Sequence, residues 1–142
     1  MEFTKADLFD YMRGHRLAVV TSLGFQGAPQ AALVGVAVSP AFQVIFDTVS
    51  DSRKHANLSR DPRAAVVFVG PEEKTLQFEG LARPMALGGA QDAALRSIYY
   101  EAWPDGRDRL TWPKLAYWCI APQWARYSDF DSGPLIQEFT WI

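Results

Sequence analysis

The sequence contains few of the residues that build catalytic or metal sites. Among its 142 residues, Cys119 is the only cysteine, and His15 and His55 are the only histidines. A single cysteine excludes an intrachain disulfide. Neither a Cys-x-x-Cys nor a His-x-x-x-His spacing is present, so we expect no metal site. With so little material for side-chain nucleophiles, the chemistry of any enzyme built on this chain would come from a cofactor.

Nucleotide-binding loops and membrane segments are also missing. Gly24 and Gly27 are three positions apart and match neither the dinucleotide fingerprint nor the phosphate loop. No apolar run approaches the ~18 residues that a membrane-spanning helix needs, and the N-terminus lacks the order of a signal peptide. A formal net charge of −2 gives no general basic field for nucleic acid or anionic membranes. We therefore expect a cytoplasmic protein that binds neither, and that meets any small anion with a local cluster.

What the chain does contain indicates one globular domain over residues 1–142. Its composition is 49% hydrophobic and 13% aromatic, which is enough for one core. Strand signals follow one another through short turns instead of alternating with helices, which favours an antiparallel sheet or barrel. The predicted strands are 17–23, 29–39, 42–48, 63–69, 75–87, 115–120 and 123–128, and the predicted helices are 4–14, 53–60 and 90–103. The tail from 129 to 142 is too irregular to assign.

The most informative segment runs from the predicted strand 42–48 into the helix 53–60. Ser52 is a good N-cap residue, and Arg53 and Lys54 follow it in the first helical turn. Cations are normally disfavoured there, because the helix N-terminus is already electropositive. The pair makes sense if a phosphate binds between these side chains and the free N–H groups. The alternative is a solvated helix start whose basic side chains point to water.

At this point the residues resemble a known family, the pyridoxamine 5′-phosphate oxidase-like FMN-binding split barrels. The resemblance lies in a strand ending Phe-Asp-Thr, then Ser-Arg-Lys-x-x-Asn-Leu, then Asp-Pro and a further strand. The matching positions are Phe46, Asp47, Thr48, Ser52, Arg53, Lys54, Asn57, Leu58, Asp61, Pro62, 64–67 and Phe68. It continues upstream through 17–22 and downstream through Pro122, Trp124, Arg126 and Tyr127, so it covers roughly residues 5–130.

The resemblance implies a fold class, a cofactor and a set of binding residues. The fold would be an antiparallel, Greek-key-like split β-barrel of six to seven strands with about three short helices. The cofactor would be FMN, held in the groove between two copies of the chain. The resemblance places Arg53 and Lys54 on the FMN phosphate, with Ser52 at the helix cap. It places Asp47 and Thr48 beside the ring or the ribityl chain. Val36 would belong to a strand, 33–38, that supplies backbone donors, and Trp124 would reach the flavin across the dimer.

The match departs from the oxidases that give the family its name. Their second strand carries a basic residue that meets the phosphate, whereas residues 31–38 here are uncharged. They also carry an Arg-x-His near the C-terminus, where this chain has Arg126, Tyr127 and Ser128. The resemblance therefore implies the fold and the flavin site but not the oxidation of pyridoxamine 5′-phosphate.

Three functions remain open from the sequence. The first is an FMN-dependent oxidoreductase that uses NAD(P)H and a small acceptor. The second is a non-catalytic flavin-binding sensor, carrier or stress-related protein. The third is a relative that binds deazaflavin or haem in the same cleft.

Two more expectations come from the residues themselves. Nine Phe, five Trp and five Tyr exceed the needs of one small core, so we expect a homodimer. Cys119 should be a buried, inert thiol, and His55 should be a helix-surface or packing residue.

Overall fold

The computed structural model describes residues 2–131 and 134–141. Within these ranges the chain forms three α-helices and eight β-strands. The helices are α1 (Lys5–Gly14), α2 (Arg53–Arg60) and α3 (Ala93–Ala102). The strands are β1 (Leu17–Leu23), β2 (Pro29–Gly35), β3 (Ala37–Val38), β4 (Val44–Val49), β5 (Arg63–Phe68), β6 (Lys74–Met85), β7 (Leu115–Asp129) and β8 (Leu135–Thr140). Turns of 3-10 helix cover Phe25–Gly27 and Pro104–Thr111.

The strands form one antiparallel sheet whose order is β2-β1-β5-β6-β7-β4-β3, with β8 added to β7. β2 and β3 are the two ends of this path, yet only Val36 separates them along the chain. The sheet must therefore curl until its ends meet, which makes a split barrel. This confirms the expected fold class.

Local sequence signals explain where the helices begin. At the start of α1, the Thr4 side chain accepts from the Asp7 N–H, and the Asp7 carboxylate accepts from the Thr4 N–H. This reciprocal capping box satisfies two N–H groups that the helix cannot. At the start of α2, Ser52 Oγ accepts from the His55 N–H at 3.1 Å. The two predicted helix starts are confirmed.

The predicted strand 29–39 is divided at the barrel's seam. Val36 leaves the β2 ladder, and its N–H donates to the Arg16 carbonyl at 2.8 Å. Gly35 permits this turn, because a Cβ there would lie 2.7 Å from the Trp103 ring. The indole N–H of Trp103 donates to the Val36 carbonyl at 2.9 Å and holds the corner closed.

The strands predicted at 115–120 and 123–128 are one strand, β7, which runs through Pro122. The register slips by one residue opposite β6, since Gly80 faces Pro122 while Glu79 faces Trp124. The bulge leaves Gln123 as the extra residue of β7, and Pro122 itself stays paired with Gly80. The tail that we could not assign contains β8, whose residues alternate between half-buried and exposed as they pair with β7.

The core fills the inside of the curl and continues under α3. Trp118, Phe46 and Phe78 are each no more than 1% exposed in the main cluster, and α1 contributes Leu8 and Met12. A second cluster packs Tyr99 and its neighbours beneath α3. Among the described residues, none of the helices has the length and hydrophobicity of a transmembrane span.

We predict that Gly80→Ala destabilises the protein strongly. A Cβ at Gly80 would lie 2.0 Å from the Ala121 carbonyl oxygen, a backbone atom that cannot swing aside. Relieving this overlap should lower the free energy of unfolding by about 2–3 kcal/mol, measured by urea denaturation. Gly14→Ala is the matched control, because a Cβ there meets nothing within 4 Å. Equal stability of the two variants would contradict the close approach at the bulge.

Candidate functional site

A pocket of about 230 Å³ lies beside the N-terminus of α2, between that helix and the strands β1 and β2. We call it the α2 pocket. Its lining residues are Val20, Ser22, Gln30, Ala31, Ala32, Ser52, Arg53, Lys54 and Asn57. The Ser-Arg-Lys motif thus lines a concave site with the small residues of β2 opposite it.

The turn before α2 is fixed by two hydroxyl groups. Ser52 Oγ lies 3.0 Å from Thr48 Oγ1, which ties the end of β4 to the helix cap. Since Ser52 caps the N–H of His55, the N–H groups of Arg53 and Lys54 are left without acceptors inside the helix. Two free backbone donors and two side-chain cations therefore meet at the α2 pocket, a combination suited to an anion.

Neither cation in the α2 pocket is neutralised. Within the described residues, no carboxylate lies within 4.0 Å of Arg53 or Lys54, although seven such ion pairs occur elsewhere. Lys54 is half-buried. Burial lowers the pKa of its ammonium, and the more distant Asp47 opposes this only in part. A bound phosphate would stabilise the charged form of Lys54, which burial disfavours. The donors of the α2 pocket therefore fit a phosphate group.

Two amides behind the cations were not assigned by sequence reasoning. Asn57, 4% exposed, donates to Ser22 Oγ at 3.1 Å and to Gln30 Oε1 at 2.6 Å. The Gln30 carboxamide lies between Asn57 and the Arg53 guanidinium. In its other orientation the Gln30 oxygen accepts from Arg53 instead of from Asn57. Asn57 is one turn below Arg53 on the same face of α2. The one sequence feature that could have indicated this pair is Gln30, which is a polar residue within the otherwise apolar run of β2.

Asp47 forms an ion pair within the chain, and its predicted place beside a flavin stays a prediction. Its carboxylate accepts from Arg109 Nε at 2.6 Å, in an ion pair that is mostly buried. The same guanidinium donates to Tyr99 Oη at 3.1 Å. Close by, the Tyr100 and Tyr117 hydroxyls share a hydrogen bond of 2.7 Å. Burial raises the pKa of Tyr99 and of Tyr117, so both phenols stay neutral. Asp47 is thus part of a polar cluster that fixes the end of β4.

Val36 and Trp124 do not line the α2 pocket of this chain. Val36 is buried in the core, and its N–H and carbonyl are both hydrogen-bonded within the chain. Trp124 is half-buried on β7, opposite Glu79 of β6. Its proposed role across a dimer stays a prediction.

His55 and Cys119 are packing residues. His55 Nδ1 accepts from the indole N–H of the buried Trp118 at 3.1 Å. Cys119 is 1% exposed, and burial raises the pKa of its thiol to about 11. Within the described ranges, no group of three or more His, Cys, Asp or Glu side chains is arranged to hold a metal ion.

Comparison with known proteins identifies the family. The family model described as pyridoxamine 5′-phosphate oxidase matches residues 5–129. The chain therefore belongs to that family, in agreement with the resemblance seen in the Ser-Arg-Lys segment. None of the curated proteins matches the sequence.

Solved structures of the same fold bind different groups. A heme-binding protein from Mycobacterium smegmatis is 17% identical with a TM-score of 0.82 over 99% of this chain, which spans only 59% of that protein. HutZ, the heme storage protein of Vibrio cholerae, is 13% identical (TM-score 0.73; 87% of this chain, 92% of that one). A pyridoxamine 5′-phosphate oxidase-related, FMN-binding protein of Nostoc punctiforme is 11% identical (TM-score 0.67; 94% and 91%). At these identities the likeness establishes the fold alone.

We predict that inorganic phosphate stabilises the protein through the α2 pocket. At ten times its Kd, phosphate should add about 1.4 kcal/mol to the free energy of unfolding, a rise in Tm of roughly 3–5 °C. Arg53→Ala combined with Lys54→Ala should abolish the shift. Arg63→Ala, which removes an exposed cation paired with Asp61, is the control and should leave it unchanged. The same Tm response in all three proteins would contradict a phosphate site here.

Proposed function

We propose that this protein binds FMN, with the terminal phosphate in the α2 pocket, and acts as a flavin-dependent oxidoreductase. The observation that carries the proposal is the pair of cations, Arg53 and Lys54, at a capped helix N-terminus with no carboxylate partner among the described residues. One such pair of cationic side chains suits a single terminal phosphate. The sequence has no glycine-rich loop for the pyrophosphate of FAD.

The size of the α2 pocket indicates where the rest of the cofactor would lie. At about 230 Å³ the pocket is smaller than the ~300–1,000 Å³ typical of sites that enclose a whole ligand. It can take a phosphate and the start of the ribityl chain. The ring would then extend past Thr48, which is bonded to the cap, and along β2, where Ala31 and Ala32 leave space. One side of the ring would remain uncovered by this chain.

We propose that a second copy of the chain covers this exposed side of the flavin ring. The outer face of β2, β1 and β5 is an apolar surface. Leu33, Val19 and Val67 lie side by side in register, and Leu33 is 60% and Val67 44% exposed. The next row contains only Ala31, Thr21 and Ala65. An uncharged patch of this kind is typical of a protein–protein interface. It adjoins the α2 pocket, because Ala31 belongs to both.

For the reaction, this chain would bind and position the cofactor. When bound, FMN would supply hydride and single-electron transfer between NAD(P)H and a small acceptor. Arg53 and Lys54 would fix the phosphate, and the paired hydroxyls of Thr48 and Ser52 would hold the turn beside the ribityl chain. No histidine or carboxylate lines the α2 pocket, so no acid or base of this chain is assigned there.

Haem is the competing ligand, because two structures of this fold are haem proteins. The residues here favour FMN, since neither of the two histidines lines the α2 pocket. The absorption spectrum of the purified protein separates flavin from a haem Soret band. A steady-state assay with NADH or NADPH then separates an oxidoreductase from a non-catalytic flavin carrier or sensor.

We predict that Arg53→Ala weakens FMN binding by ~1.5–3 kcal/mol, the range for hydrogen bonds to charged groups. Fluorescence quenching of FMN on titration with protein measures the Kd. His55→Ala is the control from the same helix, and it should retain most of the FMN affinity because His55 packs on Trp118. An unchanged Kd for Arg53→Ala would show that the phosphate binds elsewhere.

We predict that the protein is a homodimer and that Leu33→Glu dissociates it. A charge in the centre of the apolar rows cannot be buried without a partner, so association should fail while the fold survives, because Leu33 is exposed in the single chain. Sedimentation at micromolar concentration measures the mass. Lys5→Glu, far from this face on α1, is the control. A wild-type monomer near 15.9 kDa would remove the dimer and the shared flavin groove together.

A further inference from the structure

A second cavity among the described residues is separate from the α2 pocket. It is a cleft of about 460 Å³ between α1, β3 and the end of α3, and we call it the α1–α3 cleft. Its volume is twice that of the α2 pocket and within the range of small-molecule sites. The two sites share no lining residue.

The floor of the α1–α3 cleft is apolar and well packed. Met12 and Val36 are each 1% exposed, and Val38 is 6% exposed. Phe9 and Ile98 form the walls. Removing an apolar group from water onto such a floor is favourable at ~25 cal/mol per Å². The floor therefore suits the hydrocarbon part of a ligand.

Two arginines at the edge of the cleft supply positive charge. Arg16 is held in place on both sides: its Nη1 donates to the Ala102 carbonyl at the end of α3, and its guanidinium lies 5.1 Å from the Trp103 ring. A guanidinium has five N–H donors, so most of them remain for a ligand. Arg13 lines the same cleft from the last turn of α1. Within the described residues, neither arginine has a carboxylate within 4.0 Å.

The edge of the sheet adds backbone groups to these cations. β3 pairs with β4 only and is the last strand in the sheet order, so its free edge is the one flanked by α1 and α3. β3 has two residues, and alternate N–H groups of an antiparallel strand point away from its partner, so one N–H of β3 faces the free edge. Cations with several donors, a backbone N–H and an apolar floor are the components of a carboxylate site.

Glu101 limits the charge of the ligand. Its side chain lines the cleft with Arg13 and Arg16 and offsets one of their two positive charges. A second carboxylate on the ligand would be repelled by the like charge of Glu101. We propose that the α1–α3 cleft binds a monocarboxylic acid with an apolar body, with Arg16 and Arg13 on the carboxylate and the Met12–Val36–Val38 floor under the hydrocarbon.

Octanoate is a suitable probe, with 1-octanol and octanedioate as controls of the same length. In ¹H–¹⁵N correlation spectra of the full-length protein, octanoate should cause saturable shifts with a Kd on the order of 1 mM or below. The shifts should centre on the cleft and include the Trp103 indole N–H, which donates to Val36 in the floor. Octanol and octanedioate should each bind about tenfold more weakly.

Variants test the role of the arginines. Arg16→Gln and Arg13→Gln should each weaken octanoate binding about tenfold and leave octanol binding unchanged, since only the carboxylate contact is lost. Arg13 makes no hydrogen bond within the described residues, so its variant keeps the test valid if Arg16→Gln perturbs the fold. Arg107→Gln, whose guanidinium lies 4.6 Å from the Tyr100 ring outside the cleft, is the matched control.

Three results would overturn the proposal. The first is the absence of saturable shifts with octanoate. The second is a set of shifts confined to the outer face around Leu17, Leu33 and Val67, which would indicate adsorption to the exposed sheet. The third is equal octanoate affinity in the wild type, Arg13→Gln and Arg16→Gln. None of these outcomes depends on the flavin.

Discussion

The two ends of the sheet are joined by one residue, and the rest of the molecule is arranged around that corner. β2 ends at Gly35, β3 begins at Ala37, and the two strands are the opposite ends of the hydrogen-bonded path. Val36 is held by the Arg16 carbonyl on one side and the Trp103 indole on the other. Because a covalent link cannot stretch, the sheet has to curl, and its curl encloses the main core. The same corner brings α3 against β3 and thereby forms the α1–α3 cleft.

Closure of the sheet also sets the electrostatics of the α2 pocket. α2 lies where β4 returns toward β1, so the first turn of the helix faces the small side chains of β2. Lys54 is half-buried there without a carboxylate partner among the described residues, which costs free energy in the absence of an anion. Proteins commonly accept such costs at binding sites, where the ligand recovers them. The pocket thus combines a stable scaffold with a local charge imbalance that a phosphate group can balance.

Much of this arrangement was predictable from short-range signals. The capping residues Thr4 and Ser52 marked the starts of two helices, and the Ser-Arg-Lys motif marked the pocket. The sequence did not reveal features that depend on distant partners. β7 continues through Pro122 because this residue lies between the stretch of β7 that pairs with β4 and the stretch that pairs with β8. β8 is a strand because β7 offers it an edge. The ion pair between Asp47 and Arg109 joins residues 62 positions apart, and no local sequence pattern indicates it.

The central claim is that Arg53 and Lys54 recognise the phosphate of a flavin. The most direct measurement compares the Kd of FMN with that of riboflavin, which lacks only the phosphate, in the wild type and in the Arg53→Ala/Lys54→Ala double variant. The account predicts that FMN binds the wild type at least about 100-fold more tightly than riboflavin, as two charge-assisted contacts would provide. In the double variant, this ratio should fall to near unity while riboflavin affinity stays constant. A wild-type ratio near unity, or one that the double variant preserves, would contradict it.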